Sequence, residues 1–493
     1  MRICYQLDNS TVYVYQSTLA FAVYHLRHQT DLASDYAPST FNALSQKATL
    51  STACLIVSVV ANPPIAKISD IIGRSYTLVA TVSCYILSYI LVSASQNFAT
   101  YGVGLVFYTI AQTGTNIVLD LIVSDISSAR YRTLAVTIQF SPFLVMPWVA
   151  ALIIEKVING IGWRWGVGML AFIYPPCGAF LVAILFYYQR KAKKMGIVQT
   201  AKLSIFKFFA LIDGGGLALL CVGFGMFFLP ISLASTTPSN WKTGWIIALM
   251  VVGGVLLISL PFYEKFFASH PILPTRYFKN RAIVLAACMY FLDSLCFSAS
   301  HSYLYSWVTV SHNYDATRAT FFIYLNGVVQ ALVGILVGLI IAKLRRFKWI
   351  LLAGCVIRAV GYGVMIRLRG DNNSDAELFV VQAIQGVGDG IVTPILLTLA
   401  QLHVPHVELG QITALVLMFS TLGSGVGSSV AGGLYTNRFI PALRSHLGAG
   451  ANETVINNVY NSIIGADLPA WGTPQRVAAN AAVSFKISWM LSC

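Results

Sequence analysis

Five acidic, basic or imidazole side chains lie deep inside apolar blocks of this sequence, far from any charged loop: Asp8, Asp293, His301, Arg358 and Asp389. Asp120 lies in such a block too, but barely a turn from Asp125, and an interfacial position fits it as well. An ionisable group at membrane depth is costly, so it faces a cavity or a partner. Two chemistries follow. A carboxylate in a cavity can take up and release a proton as its access to water alternates, which is what coupling to a proton gradient needs. A static Asp–Arg pair, with Arg358 as the cation, would instead hold helices together. Asp8, Asp293 and Asp389 are the proton-coupling candidates.

Around these stand side chains that could line a ligand cavity: Tyr13, His301, Tyr303, Tyr305, Arg358, Gln382 and Gln385. Aromatic rings can stack on a bulky ligand or hydrogen-bond to it in an otherwise apolar pocket, although most aromatics in such chains pack or sit at interfaces. Gln382 and Gln385, beside Gly386, Gly388 and Gly390, offer neutral donors and acceptors where helices approach closely. Bonding between helices fits them equally well.

The elements that must position these groups are membrane helices. The chain has 493 residues, 57% hydrophobic and only 10% charged, against roughly 25% charged in soluble domains. Apolar blocks of about 20 residues, the length that spans a bilayer core, recur along it. Spans are predicted near 3–26, 46–66, 76–95, 101–123, 133–155, 167–188, 211–233, 244–263, 282–308, 319–342, 349–367, 378–402, 411–435 and 478–492. This gives an amino-terminal six-span bundle (1–188), a basic linker (189–210), two additional spans (211–263), a carboxy-terminal bundle (264–435), an outer loop (436–477) and a partial last span (478–493). The linker carries Arg190, Lys191, Lys193, Lys194, Lys202 and Lys207 and no acid. It fits a plain connection on the basic side, or a helix lying on anionic lipid.

Orientation follows from Lys and Arg, which accumulate in short cytoplasmic loops. Loops with Lys67 and Arg74, Arg130 and Arg132, the basic linker, Lys265 to Arg281, and Lys343 to Lys348 hold more than half of the 32 basic residues. These are expected in the cytoplasm. The sequons at Asn372 and Asn452 fall in the opposite loops, where glycosylation would occur. The net charge of +14 matches no nucleic-acid module, and the nine cysteines show no metal-ligand spacing. There is no nucleotide-binding G-x-x-x-x-G-K-[ST] loop, no His-Glu metal motif and no extramembrane catalytic domain, so neither an enzyme nor a cofactor is expected.

The link after the second predicted span reads Ala66-Lys67-Ile68-Ser69-Asp70-Ile71-Ile72-Gly73-Arg74. Its Asp-x-x-Gly-Arg core resembles the loop signature of the major facilitator superfamily, with Ala66 in place of the usual first glycine. In physical terms Asp70 can accept hydrogen bonds from a neighbouring helix end, Gly73 permits a tight turn, and Arg74 stays at the wet surface. A partial echo, Ile341-Ala342-Lys343 followed by Arg345 and Arg346, fits internal repeats. A narrower resemblance covers nearly the whole chain. Leu7 to Tyr13, Pro63 to Lys67, Ser124 to Ser128, Ser141-Pro142-Phe143, Trp163 to Met169, Tyr314 to Ala319 and the glycines Gly423, Gly425, Gly427, Gly432 and Gly433 are similar, in order and spacing, to fungal siderophore-iron transporters, a fourteen-span branch of that superfamily.

This resemblance implies an all-helical major facilitator fold, two six-helix bundles plus two central spans, acting as a proton-coupled symporter of a ferric siderophore of the hydroxamate type. It would sit as a monomer in the bilayer of a plasma, endosomal or vacuolar membrane. Family members carry about two more helical turns before the equivalent of Asp8 and a full fourteenth span, so truncated terminal spans are expected. A proton-coupled antiporter exporting drugs or glutathione, or an inactive truncated remnant, would share the architecture.

Overall fold

The computed structural model describes residues 40–41, 47–145, 147–149, 160–195, 210–233, 244–268, 271–272, 274, 276–368, 374–447, 473, 476–477 and 480. All regular structure among them is helical: α1 (Lys47–Ile72), α2 (Arg74–Ser93), α3 (Phe98–Ile126), α4 (Arg132–Ile138), α5 (Gly162–Gly168), α6 (Leu170–Lys194), α7 (Gly214–Leu233), α8 (Gly244–Phe266), α9 (Arg281–His301), α10 (Leu304–Ser311), α11 (Ala316–Leu344), α12 (Lys348–Arg367), α13 (Asp375–Leu402) and α14 (Leu409–Leu447), with short 3-10 turns between some of them. Ten of the helical stretches are long and apolar enough to cross a membrane. The first predicted span with Asp8 and Tyr13, the last predicted span apart from residue 480, and the sequon residues Asn372 and Asn452 lie outside the described residues.

Four elements differ from the sequence expectation. The span predicted over 133–155 breaks after α4, which ends at Ile138 and is followed by a 3-10 turn at Ser141–Leu144. Helix α1 carries the loop signature within it and stops only at Gly73, whose φ of 109° and ψ of 151° few L side chains adopt. The predicted ninth span is two helices, α9 and α10, interrupted at Ser302 and Tyr303. The helix predicted to end at 435 continues to Leu447; at 39 residues it is about 58 Å long, more than a bilayer core requires, so the helix occupies the first part of the segment expected to be loop.

Helix ends follow local chemistry. Asn97, Asn280, Asp315 and Ser374 each cap a helix through the side chain, and Ser374 with Glu377 forms a reciprocal capping box. Within the amino-terminal group α1, α2, α3 and α6 pack around Tyr85, Tyr89, Tyr108 and Tyr174; Tyr85 and Tyr174 have ring centroids 4.6 Å apart. Within the carboxy-terminal group α9 lies along α14, and α13 lies between α11 and α12. The groups meet where α1 packs on α14 and α4 on α11. The additional spans, α7 and α8, pair with each other, and α7 packs on α1.

Candidate functional site: a buried charge cluster between helices of the carboxy-terminal bundle

Arg358 on α12, Asp293 on α9 and Asp389 on α13 come together in the membrane interior. The guanidinium forms an ion pair with Asp293 through Nε, donates from Nη2 to Asp293 Oδ2 at 3.0 Å, and places Nη1 3.4 Å from Asp389 Oδ1. Nη1 also donates to the Gln385 carbonyl at 3.4 Å, and the Thr393 hydroxyl donates to Asp389 Oδ1 at 2.5 Å. One cation thus serves two carboxylates from different helices. Such a pair in low dielectric holds only while its partners stay in register, because each charge has lost its water.

The close packing has a local cause. A Cβ on Gly388 would stand 2.7 Å from Arg358 Cβ and 2.9 Å from its backbone nitrogen, so only glycine lets α13 approach α12 closely enough to bracket the arginine. Aromatic faces complete the surroundings, with the guanidinium 5.9 Å from the Phe297 ring and 5.5 Å from that of Tyr362.

The other face of Phe297's neighbourhood carries His301. The two rings stack at 4.2 Å, His301 Nδ1 lies 2.9 Å from the Ser300 hydroxyl, and Nε2 lies 3.2 Å from Gln382 Oε1. Asp293, Arg358 and Asp389 thus form one polar cluster and His301 with Gln382 a second, with the Phe297 ring touching both. Gln382 Nε2 is buried and makes no hydrogen bond among the described residues. Gln385 is turned the other way, donating to the Gly361 carbonyl at 3.4 Å and the Met365 sulfur at 2.7 Å, which places it in the α12–α13 interface. Tyr303 packs near α14, its hydroxyl 3.6 Å from a Cβ position on Gly432, and Tyr305 is half-buried on the first turn of α10.

The loop signature forms a second polar centre, on the basic side. Arg74 Nη1 lies 2.6 Å from Asp70 Oδ1 and donates to the Ser69 hydroxyl at 3.0 Å, while Nε donates to Asp125 at 3.2 Å. Arg74 is not left at the wet surface, as the sequence suggested; two carboxylates, one of them 51 positions away, draw it inward. Asp70 packs on the first turn of α14, where a Cβ on Gly410 would meet its Oδ2 at 2.5 Å. Lys67 is buried.

Sequence reasoning missed a polar seam that joins the bundles at this same end. Gln401 Nε2 of α13 donates to the Ser124 hydroxyl of α3 at 2.9 Å and to the Thr413 hydroxyl of α14 at 2.8 Å. Ser124 donates onward to the Asp120 carbonyl at 2.7 Å, and Gln139 donates to Asp120 Oδ1 at 3.0 Å. Arg130 Nε reaches the Ala342 carbonyl of α11 at 2.9 Å. An apolar plug of Ala66, Ile117, Leu121 and Ala414 fills the space beside this seam. Neutral Ser, Thr and Gln in apolar helices carry little signal until their partners are known.

The family model described as Major Facilitator Superfamily matches residues 10–312 and 286–442. A siderophore iron transporter, mirC, of Emericella nidulans is 30% identical over 91% of this chain and 75% of that protein. An MFS siderochrome iron transporter C of Aspergillus fumigatus is 29% identical over the same shares. Among solved structures, the human organic anion transporter MFSD10 aligns with a TM-score of 0.56 at 11% identity, covering 99% of this chain and 98% of that one, a likeness of fold. Continuous helices, two packed bundles and these matches lead to one assignment: the chain is an integral multi-pass membrane protein of the major facilitator superfamily and belongs, within it, to the fungal siderophore-iron transporter family.

Proposed function

We propose that the protein carries a ferric siderophore of the hydroxamate class across a fungal membrane by proton symport. The observation that carries this reading is the sharing of Arg358 between Asp293 and Asp389, in a chain whose relatives are siderophore iron transporters. Two carboxylates facing one guanidinium can be exchanged by protonation. A proton taken by one carboxylate releases its half of the arginine, the other half keeps the helices together, and the freed guanidinium can turn to the oxygen-rich surface of the iron complex. Asp8, outside the described residues, is the third proposed proton site. Gln382, whose buried amide nitrogen makes no hydrogen bond among the described residues, supplies a donor for a hydroxamate oxygen beside His301.

The basic end, which we take as cytoplasmic from the charge of its loops, is closed among the described residues, so we read this conformation as shut to the cytoplasm. Release would require the Gln401 seam and the Asp70 contact with α14 to part. Tyr13, Tyr303 and Tyr305 are proposed as aromatic contacts of the ligand, and the protein as a monomer in the plasma or an endosomal or vacuolar membrane. In cells lacking their own carriers, expression of the chain is expected to confer uptake of radioiron bound to a hydroxamate siderophore. Asp293→Asn and Asp389→Asn should abolish it at unchanged membrane expression. Full uptake by both variants would defeat the assignment of these carboxylates.

A further inference from the structure

The charged residues that the transport reading leaves aside include one buried group. Lys67 on α1 is 6% exposed, Asp213 just before α7 is 5% exposed, and Glu264 near the end of α8 is 4% exposed. Both carboxylates are near enough for their charge to favour the Lys67 ammonium, and Asp213 Oδ2 is buried without a hydrogen bond among the described residues. The three come from α1 and from the two ends of the additional spans that reach the basic side. Asp213 is held in place locally: its φ is 58°, its Oδ1 accepts from the Gly216 amide at 3.1 Å, and the first turn of α7 lies under Tyr263, whose hydroxyl would be 2.1 Å from a Cβ on Gly215.

The packing around this group is one-sided. Helix α8 packs on α7, and α7 packs along α1, the helix of either bundle with which it makes an extensive contact among the described residues. The outer face of α8 presents Ile247, Val251, Val255, Ile258 and Phe262 as exposed apolar side chains, as lipid requires. A buried lysine would be costly here without the two acids, and the acids without the lysine. Burial of these three charges at the packed ends of α1, α7 and α8 therefore favours one arrangement of the additional spans over sliding alternatives.

We propose that Lys67 is a positioning residue that docks α7 and α8 to the amino-terminal bundle through Asp213 and Glu264, so that the additional spans move with that bundle during transport. The inference rests on the alternating-access reading for its motion and on the buried charges for its anchor. It gives the lysine beside the loop signature a task separate from the Asp70–Arg74–Asp125 contacts.

The test uses the full chain in lipid nanodiscs, with spin labels on unnatural side chains at the exposed positions Ile90 of α2, Ile258 of α8 and Val356 of α12. Distances are measured with and without iron-loaded hydroxamate siderophore. The Ile90–Ile258 distance should stay fixed, while Ile258–Val356 and Ile90–Val356 shift together. A fixed Ile258–Val356 distance with a changing Ile90–Ile258 distance would place the additional spans with the other bundle and overturn the proposal. If all three stay fixed, the alternating-access reading fails and this inference with it.

Lys67→Gln should broaden the Ile90–Ile258 distribution and lower the maximal uptake rate at unchanged KM, by about tenfold. Lys67→Arg should keep both near the parent. The charge exchange Lys67→Glu with Glu264→Lys, which preserves the sum of charges, should restore a narrow distribution if Lys67→Gln folds poorly. A distribution in Lys67→Gln as narrow as the parent's, or no recovery in the exchanged pair, would remove the anchoring role.

Discussion

Arg358 is shared by two carboxylates, so substitutions around it should be strongly non-additive. Removing the arginine alone leaves Asp293 and Asp389 without their cation, and breaking a buried pair from one side costs about 3–5 kcal/mol. Arg358→Gln is therefore expected to lower the unfolding temperature of the detergent-solubilised protein markedly, and Arg358→Gln with Asp293→Asn to regain much of the loss. Equal destabilisation by the single and double variants would show that the pair contributes no buried charge to balance. Arg358→Lys should also lose uptake, because an ammonium cannot repeat the forked contact with both acids. Asp293, Arg358 and Asp389 were legible as residues because a charge in an apolar block stands out. A pairing of Arg358 with an acid was legible as one of two alternatives, but not which acids or that two share it, since that joins positions on three helices; the burial of Arg74 depended on Asp125 in the same way.

Two glycines set how helices start and how closely they pass. Gly73 holds a backbone conformation that a Cβ would strain, and a Cβ there would also meet the Gln189 amide at 2.9 Å. Gly73→Ala is expected to cost about 1–3 kcal/mol, read as a drop in thermal stability; an unchanged transition would mean the turn relaxes freely. Gly388→Val should push α13 from α12, disperse the Arg358 cluster and remove uptake even where the protein reaches the membrane. Outside the membrane, Tyr314 donates to Asp375 at 2.5 Å, and burial together with this carboxylate holds its phenol above the usual range, so it remains a donor at physiological pH. The apolar runs made most spans readable, because about 20 such residues have few other uses. The interruption at Ser302 and Tyr303 and the extension of α14 to Leu447 were not readable. Local hydropathy marks neither: residues 302–303 lie inside an apolar block, and residues 436–447 begin a stretch read as loop.

Across the molecule, one end is closed by a seam whose central residue, Gln401, bonds to α3 and α14 together. Gln401→Leu should weaken that closure and raise the labelling of the basic end by a membrane-impermeant thiol reagent in inside-out vesicles, read at a cysteine placed at the buried Ser127 in a parent whose native cysteines are replaced by serine or alanine. Labelling no greater than in the parent with that cysteine would show that the apolar plug of Ala66, Ile117, Leu121 and Ala414 seals the end by itself. The family could be read from ordered motifs along the chain, whereas this closure could not, because it arises between segments 277 positions apart. Proton-coupled uptake remains the centre of the account, and it can be measured directly. Radioiron-loaded hydroxamate siderophore is supplied to carrier-deficient cells expressing the chain, with and without a protonophore. Uptake should occur and collapse when the protonophore is added; uptake indifferent to the protonophore, or proton-driven efflux of the siderophore, would contradict proton symport.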